Sequence, residues 1–119
     1  MDDDVRYDER RGVIVIRAPV RVDRQIMDEY RARMVSLAGF DPGTPVVVDW
    51  TRVDQSALTA ELVRERARTP WPVSSRIAFY APSDVLYGLA RMYALQAQQP
   101  IEAFRDCREA LEWARESGE

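Results

Sequence analysis

The sequence has no histidine, no lysine and no asparagine, and a single cysteine. Each absence closes off a kind of chemistry. Without histidine there is no Ser-His-Asp or Cys-His machinery and no imidazole metal site. Without lysine there is no Schiff-base nucleophile and no phosphate-loop lysine. A lone Cys107 cannot close an internal disulfide, which fits a reducing cytoplasm. Nor is there a run approaching the ~20 apolar residues of a membrane span, or the basic start and apolar stretch of a secretory signal, since the chain opens Met1-Asp2-Asp3-Asp4. These readings lead us to expect a cytoplasmic chain with no integral membrane segment.

What is present is the composition of a globular domain. The 119 residues are 46% hydrophobic and 31% charged, with a net charge of −3. That length suits one domain, residues 1–119, with about two-thirds of its unfolded surface buried. All 17 basic residues are arginine. They are scattered among acids, and the acidic balance argues against nucleic-acid binding.

The apolar pattern alternates between short strand-like and longer helix-like segments. Val5 to Asp8 and Val13 to Ile16 flank a charged turn ending in Gly12, which predicts an N-terminal β-hairpin. Asp23 is placed to cap a helix carrying Ile26, Met27, Tyr30, Met34 and Leu37 on one stripe, with Gly39 at its C-terminus. On its solvent side Arg24 and Asp28, and Glu29 and Arg33, have the spacing of ion pairs. Val46 to Val48 predicts a strand, and 56–68 a helix stopped by Pro70-Trp71-Pro72. Arg76 to Tyr80 predicts a strand, and 83–98 a helix capped by Ser83. Ile101 to Phe104 then reads as an edge strand, and Asp106 starts a closing helix that buries Ala110, Leu111 and Ala114. This order predicts an α/β fold: a five-stranded mixed, mostly parallel sheet with four helices.

The helix over 83–98 stands apart because Arg91 is its only charge between Val85 and Gln99. Its apolar side chains point all around the axis, more than one sheet face can cover. The excess has three destinations: neighbouring helices, a second subunit, or an apolar ligand. Leu86, Tyr87, Met92, Tyr93 and Leu95 are the candidate homodimer interface. Trp50, Trp71, Tyr80, Tyr87 and Met92 are the candidate lining of an apolar or lipid pocket, since strand ends and following helix starts converge on one rim. Gly88 inside this helix suggests close approach of another backbone.

Three segments in the second half carry a resemblance: Arg76-Ile-Ala-Phe-Tyr-Ala-Pro-Ser-Asp, Tyr87-Gly-Leu-Ala-Arg-Met-Tyr, and Phe104-Arg-Asp-Cys-Arg-Glu-Ala-Leu-Glu-Trp113. The chain resembles the SpoIIAA-like (STAS-like) family over essentially its whole length. The resemblance implies a small, non-catalytic bacterial domain of stacked β-α units, related to anti-anti-sigma-factor domains and to lipid-transfer domains. It implies a role in protein interaction or regulation, with lipid binding as the alternative. Antagonists of that family are phosphorylated in an Asp-Ser-Ser-Gly-Leu-type turn. Here the turn is Asp54-Gln55-Ser56-Ala57-Leu58, which makes Ser56 the candidate phosphoacceptor. Glutamine and alanine stand where that pattern has serine and glycine.

The remaining constellations carry less. Asp2-Asp3-Asp4 reads as a solvated tail rather than a cation site. Asp49 at a strand end resembles a phosphoaccepting aspartate, but that chemistry needs a lysine this chain lacks. Cys107 in the first turn of the last helix is placed for a lowered thiol pKa, without a partner base. No catalytic residues, cofactor or metal ligands are expected.

Overall fold

The computed structural model describes residues 4–116. β1 (Val5–Asp8) and β2 (Val13–Arg17) form the N-terminal hairpin. Gly12, at φ +71°, closes the turn by donating its amide to the Asp8 carbonyl at 2.7 Å. A positive φ is cheap only for glycine. The Asp8 carboxylate holds the same turn, accepting from the Arg10 and Arg11 amides and from Arg11 Nη1.

After the hairpin come α1 (Arg24–Val35), β3 (Val46–Asp49), α2 (Ala60–Ala67), β4 (Ile77–Tyr80), α3 (Asp84–Gln96), β5 (Ile101–Phe104) and α4 (Cys107–Arg115). The strands lie in sequence order across the sheet. β1 is antiparallel to β2, and β2 through β5 are parallel. The predicted fold class is therefore the observed one: a five-stranded mixed sheet with four helices.

Strand alternation divides the core. Ile14, Ile16, Val46, Val48, Ile77, Phe79, Ile101 and Ala103 face α1, α2 and α3. Val47 and Ala78 face the other way and pack against Ala110 and Ala114 of α4, with Tyr80, Phe104, Leu111 and Trp113 at the margin. One helix thus covers what three cover on the opposite side.

The helix starts follow their caps. Asp23 accepts from the Ile26 amide at 2.9 Å, Ser83 from Leu86 at 3.2 Å, and Asp106 from Arg108 at 2.8 Å. Two boundaries differ from the sequence expectation. α1 ends at Val35, and Gly39, at φ +72°, belongs to the turn beyond it. α2 starts at Ala60 rather than Ser56, because Thr59 is the residue that caps it, accepting from the Leu62 amide at 3.1 Å.

The expected pairing of Arg24 with Asp28 also differs. Arg24 reaches Glu65, and Asp28 reaches Arg66, so both tie α1 to α2. The predicted Arg24–Asp28 spacing is overridden because α2 offers carboxylate and guanidinium partners across the helix interface. Arg33 lies over the Tyr30 ring, 4.9 Å from its centroid. Of the predicted acidic tail, Asp2 and Asp3 lie outside the described residues. Asp4 is no solvated tail residue: it accepts from the Tyr30 hydroxyl at 3.0 Å and from Arg52 Nη2 at 3.1 Å.

Candidate functional site

The richest constellation lies beneath α1, at the C-terminal ends of β2, β3 and β4. Ile16, Val48 and Phe79 form the sheet side of a small, partly open cavity of about 50 Å³. Met27, Tyr30 and Arg31 of α1 line it from above, with Trp50, Trp71 and Tyr93 completing the wall. The rings contact one another edge to face. Trp50 and Phe79 have centroids 5.0 Å apart at 80°, and Trp71 and Phe79 lie 6.3 Å apart at 85°. Phe79 and Tyr93 are tilted at 4.9 Å. Such geometries are attractive beyond their buried area.

The Tyr93 hydroxyl organises the polar side of this cluster. It accepts from Trp71 Nε1 at 2.9 Å and from Arg31 Nη2 at 2.9 Å, and donates to the Arg66 carbonyl at 3.2 Å. Arg31 also stacks over Trp71, 4.7 Å from the ring centroid. Burial lowers the Arg31 pKa, and the nearby Arg66 charge lowers it further. Burial likewise raises the Tyr93 pKa, so the hydroxyl stays neutral. Gln99 fixes the segment that carries Trp71. Its Oε1 accepts from the Trp71 amide at 2.7 Å, and its Nε2 donates to the Trp71 and Val73 carbonyls.

Of the five residues predicted to line an apolar pocket, Trp50 and Trp71 do so. Tyr80 does not: one step along β4 from Phe79, it faces the α4 side. Tyr87 sits under the Arg105 guanidinium, 4.5 Å from its ring centroid, and Met92 is half-buried elsewhere on α3. The sequence reading missed Tyr30, Arg31, Phe79 and Tyr93. Strict alternation in β4, applied to Phe79 against Tyr80, was the signal available for one of them.

The predicted interface on α3 divides in the same way. Leu86 and Tyr93 are 4% and 2% exposed, so the subunit's own core takes them and they are not surface residues. Leu95 is 75% exposed and Val85 49%. Between them lies Gly88, where an added Cβ would meet nothing within 4 Å. Among the described residues no contact therefore requires a glycine at this position.

Ser56 is exposed in a short 3-10 turn, Gln55–Ala57, ahead of α2. Its hydroxyl donates to Asp54 Oδ1 at 2.8 Å, and the same oxygen accepts from its amide at 3.0 Å. A phosphate here would face a carboxylate, and the free amides of α2 begin beyond Thr59. Cys107 departs from expectation as well. Its thiol pKa is raised, first by burial and then by the carboxylates of Asp49 and Asp106.

Among the described residues no three acidic, histidine or cysteine side chains gather as a metal-binding group. No described helix is long and apolar enough to cross a membrane.

The hairpin, the sequential βα units and the single helix on the second face define a SpoIIAA-like fold. The chain is similar in structure to an uncharacterised protein of the DUF3478 family from Shewanella loihica PV-4, itself described as having that fold. The two superpose with a TM-score of 0.59 at 18% identity, over 86% of this chain and 83% of the other. No family model matches the sequence, and no curated protein matches it.

Proposed function

We propose that this chain is a non-catalytic STAS-like interaction domain that forms a homodimer through the outer face of α3. The observation that carries this reading is the exposure of Leu95 and Val85 on either side of Gly88. A helix interior glycine costs about 1 kcal/mol, and nothing within the subunit repays it here. A second helix crossing at Gly88 would bury both exposed side chains and exploit the missing Cβ. Leu86 and Tyr93 are taken by the core and Tyr87 lies under Arg105, which leaves Met92 and Leu95 of the expected interface, joined by Val85, with Gly88 at the crossing.

The alternative, binding of a lipid, has less support. Pockets for drug-sized ligands span roughly 300–1,000 Å³, and the cavity under α1 has about 50 Å³. An acyl chain does not fit that space.

Light scattering on the full chain tests the dimer. The expected result is a dimer mass that falls to monomer in Leu95→Glu, with the melting temperature of the monomer retained. A wild-type monomer at roughly 100 µM, or a Leu95→Glu variant that remains dimeric, overturns the proposal. Leu86→Glu is no substitute, because burying that charge in the core would unfold the subunit.

A further inference from the structure

Four exposed positions run in a line along α3: Asp84, Gly88, Arg91 and Leu95. Steps of four, three and four residues keep them on one ridge of the helix. The Asp84 side chain is 87% exposed and takes one guanidinium, that of Arg105. A carboxylate has room for a second. Arg91 is the free charge of the ridge, since among the described residues no carboxylate pairs with it. Asp84 and Arg91 cannot meet within one chain, because seven residues of helix set them about 10.5 Å apart. The ridge thus presents an acid, a gap, a base and a leucine to whatever covers it.

We propose that a second copy crosses α3 antiparallel at Gly88, with Asp84 of each subunit paired to Arg91 of the other. The inference rests on the α3 dimer proposed above and adds its direction and its charge pairing. Arg91 follows Gly88 by three residues, about 4.5 Å, and Asp84 precedes it by four, about 6 Å. At about 3.6 residues per turn both stand on the same flank of the glycine. A two-fold axis through Gly88 reverses the helix direction and keeps the flank. Arg91 of the second copy therefore comes within about 1.5 Å of the height of Asp84. The same operation sets Val85 level with Met92 of the second copy on the opposite flank. Each contact occurs twice, as a closed two-fold interface requires. A parallel crossing would instead set Asp84 level with Asp84 and Arg91 level with Arg91, so that like charges meet. Gly88, with open space where a Cβ would stand, lets the two axes approach.

Exchanging charges between two chains tests the pairing. Arg91→Glu alone and Asp84→Arg alone each set like charges against one another twice. Each is expected to dimerise at least about tenfold more weakly than the parent in sedimentation. Mixing the two variants restores both pairs in a heterodimer, expected within about threefold of the parental affinity and recognised by its mass in native mass spectrometry. A mixture that associates no better than its components overturns the proposal, as do single variants that dimerise like the parent. A second measurement leaves both charges in place. Spin labels on Gln96→Cys, in a Cys107→Ser background, stand eight residues from the crossing, so antiparallel helices hold them about 24 Å apart along the axis. Labels separated only by roughly the 8–10 Å between packed helices overturn the direction. Failure of the dimer itself reads differently. A parent chain that stays monomeric removes both proposals, whereas a dimer lost in Leu95→Glu but indifferent to the charge exchange removes this one alone.

Discussion

Trp71 and Tyr93 meet through a single hydrogen bond, Nε1 to hydroxyl at 2.9 Å, that ties the loop before β4 to the last turn of α3. The same oxygen takes the Arg31 guanidinium from α1. One phenol therefore joins three parts of the chain that are far apart in sequence. Tyr93→Phe removes the oxygen and leaves the ring. Two donors then lose their acceptor in a largely dry environment, a cost of about 1–3 kcal/mol. Urea unfolding should show the midpoint fall with the slope unchanged.

Asp8 makes the hairpin sensitive to acid. Its pKa is lowered from 3.8, first by the hydrogen bond from Arg11 and then, against a smaller opposing effect of burial, by the Arg11 and Arg10 amides and the Arg11 charge. A carboxylate whose pKa is depressed in the folded state adds stability above its unfolded pKa. That stability is lost as pH falls through the folded value. Asp8→Asn is therefore expected to be less stable than the parent at pH 7, with the gap closing below about pH 4. Thermal melts of both proteins across that range check it.

The start of α2 separates two neighbouring hydroxyls. Thr59 caps the helix, so Thr59→Ala should cost about 1 kcal/mol. Ser56 bonds only within its own exposed turn, and Ser56→Ala should change stability by less than about 0.5 kcal/mol. Equal effects in chemical denaturation would move the cap back to Ser56.

Gly88 gives opposite signs for the subunit and the assembly. Gly88→Ala stabilises the isolated chain by about 0.5–1 kcal/mol, since the new methyl meets nothing. In the proposed dimer the same methyl blocks the helix crossing. Sedimentation should show weaker association alongside a higher melting temperature at low protein concentration.

The topology was legible because unbroken apolar runs and helix-spaced apolar stripes are strong in this chain. The runs 13–16, 46–48, 76–80 and 101–104 each became a strand to within a residue, and Asp23, Ser83 and Asp106 each capped the helix they precede. The site was legible only in part. Trp50 and Trp71 sit at segment ends, where strand termini converge, and rim reasoning found them. Tyr87 and Met92 were misplaced because an all-round apolar helix gives no phase. The buried stripe Leu86, Ala90 and Tyr93 is chosen by packing against α2 and β5, which no local pattern encodes. Arg31 and Arg66 were unreadable for a related reason. Arginine spacing along one helix says nothing about a partner on the next, and charge usually marks solvent. Here Asp28 of α1 pairs with Arg66 of α2 and Glu65 of α2 with Arg24 of α1, and Arg66 is drawn inside.

The sheet's strands stand in the order in which they occur along the chain. During synthesis each strand emerging from the ribosome finds its neighbour already made, and none waits for a later segment to be slotted between. The reverse side has no such help. Val47 and Ala78 are covered only once α4 has been made, so that face of the nascent sheet stays adhesive until then.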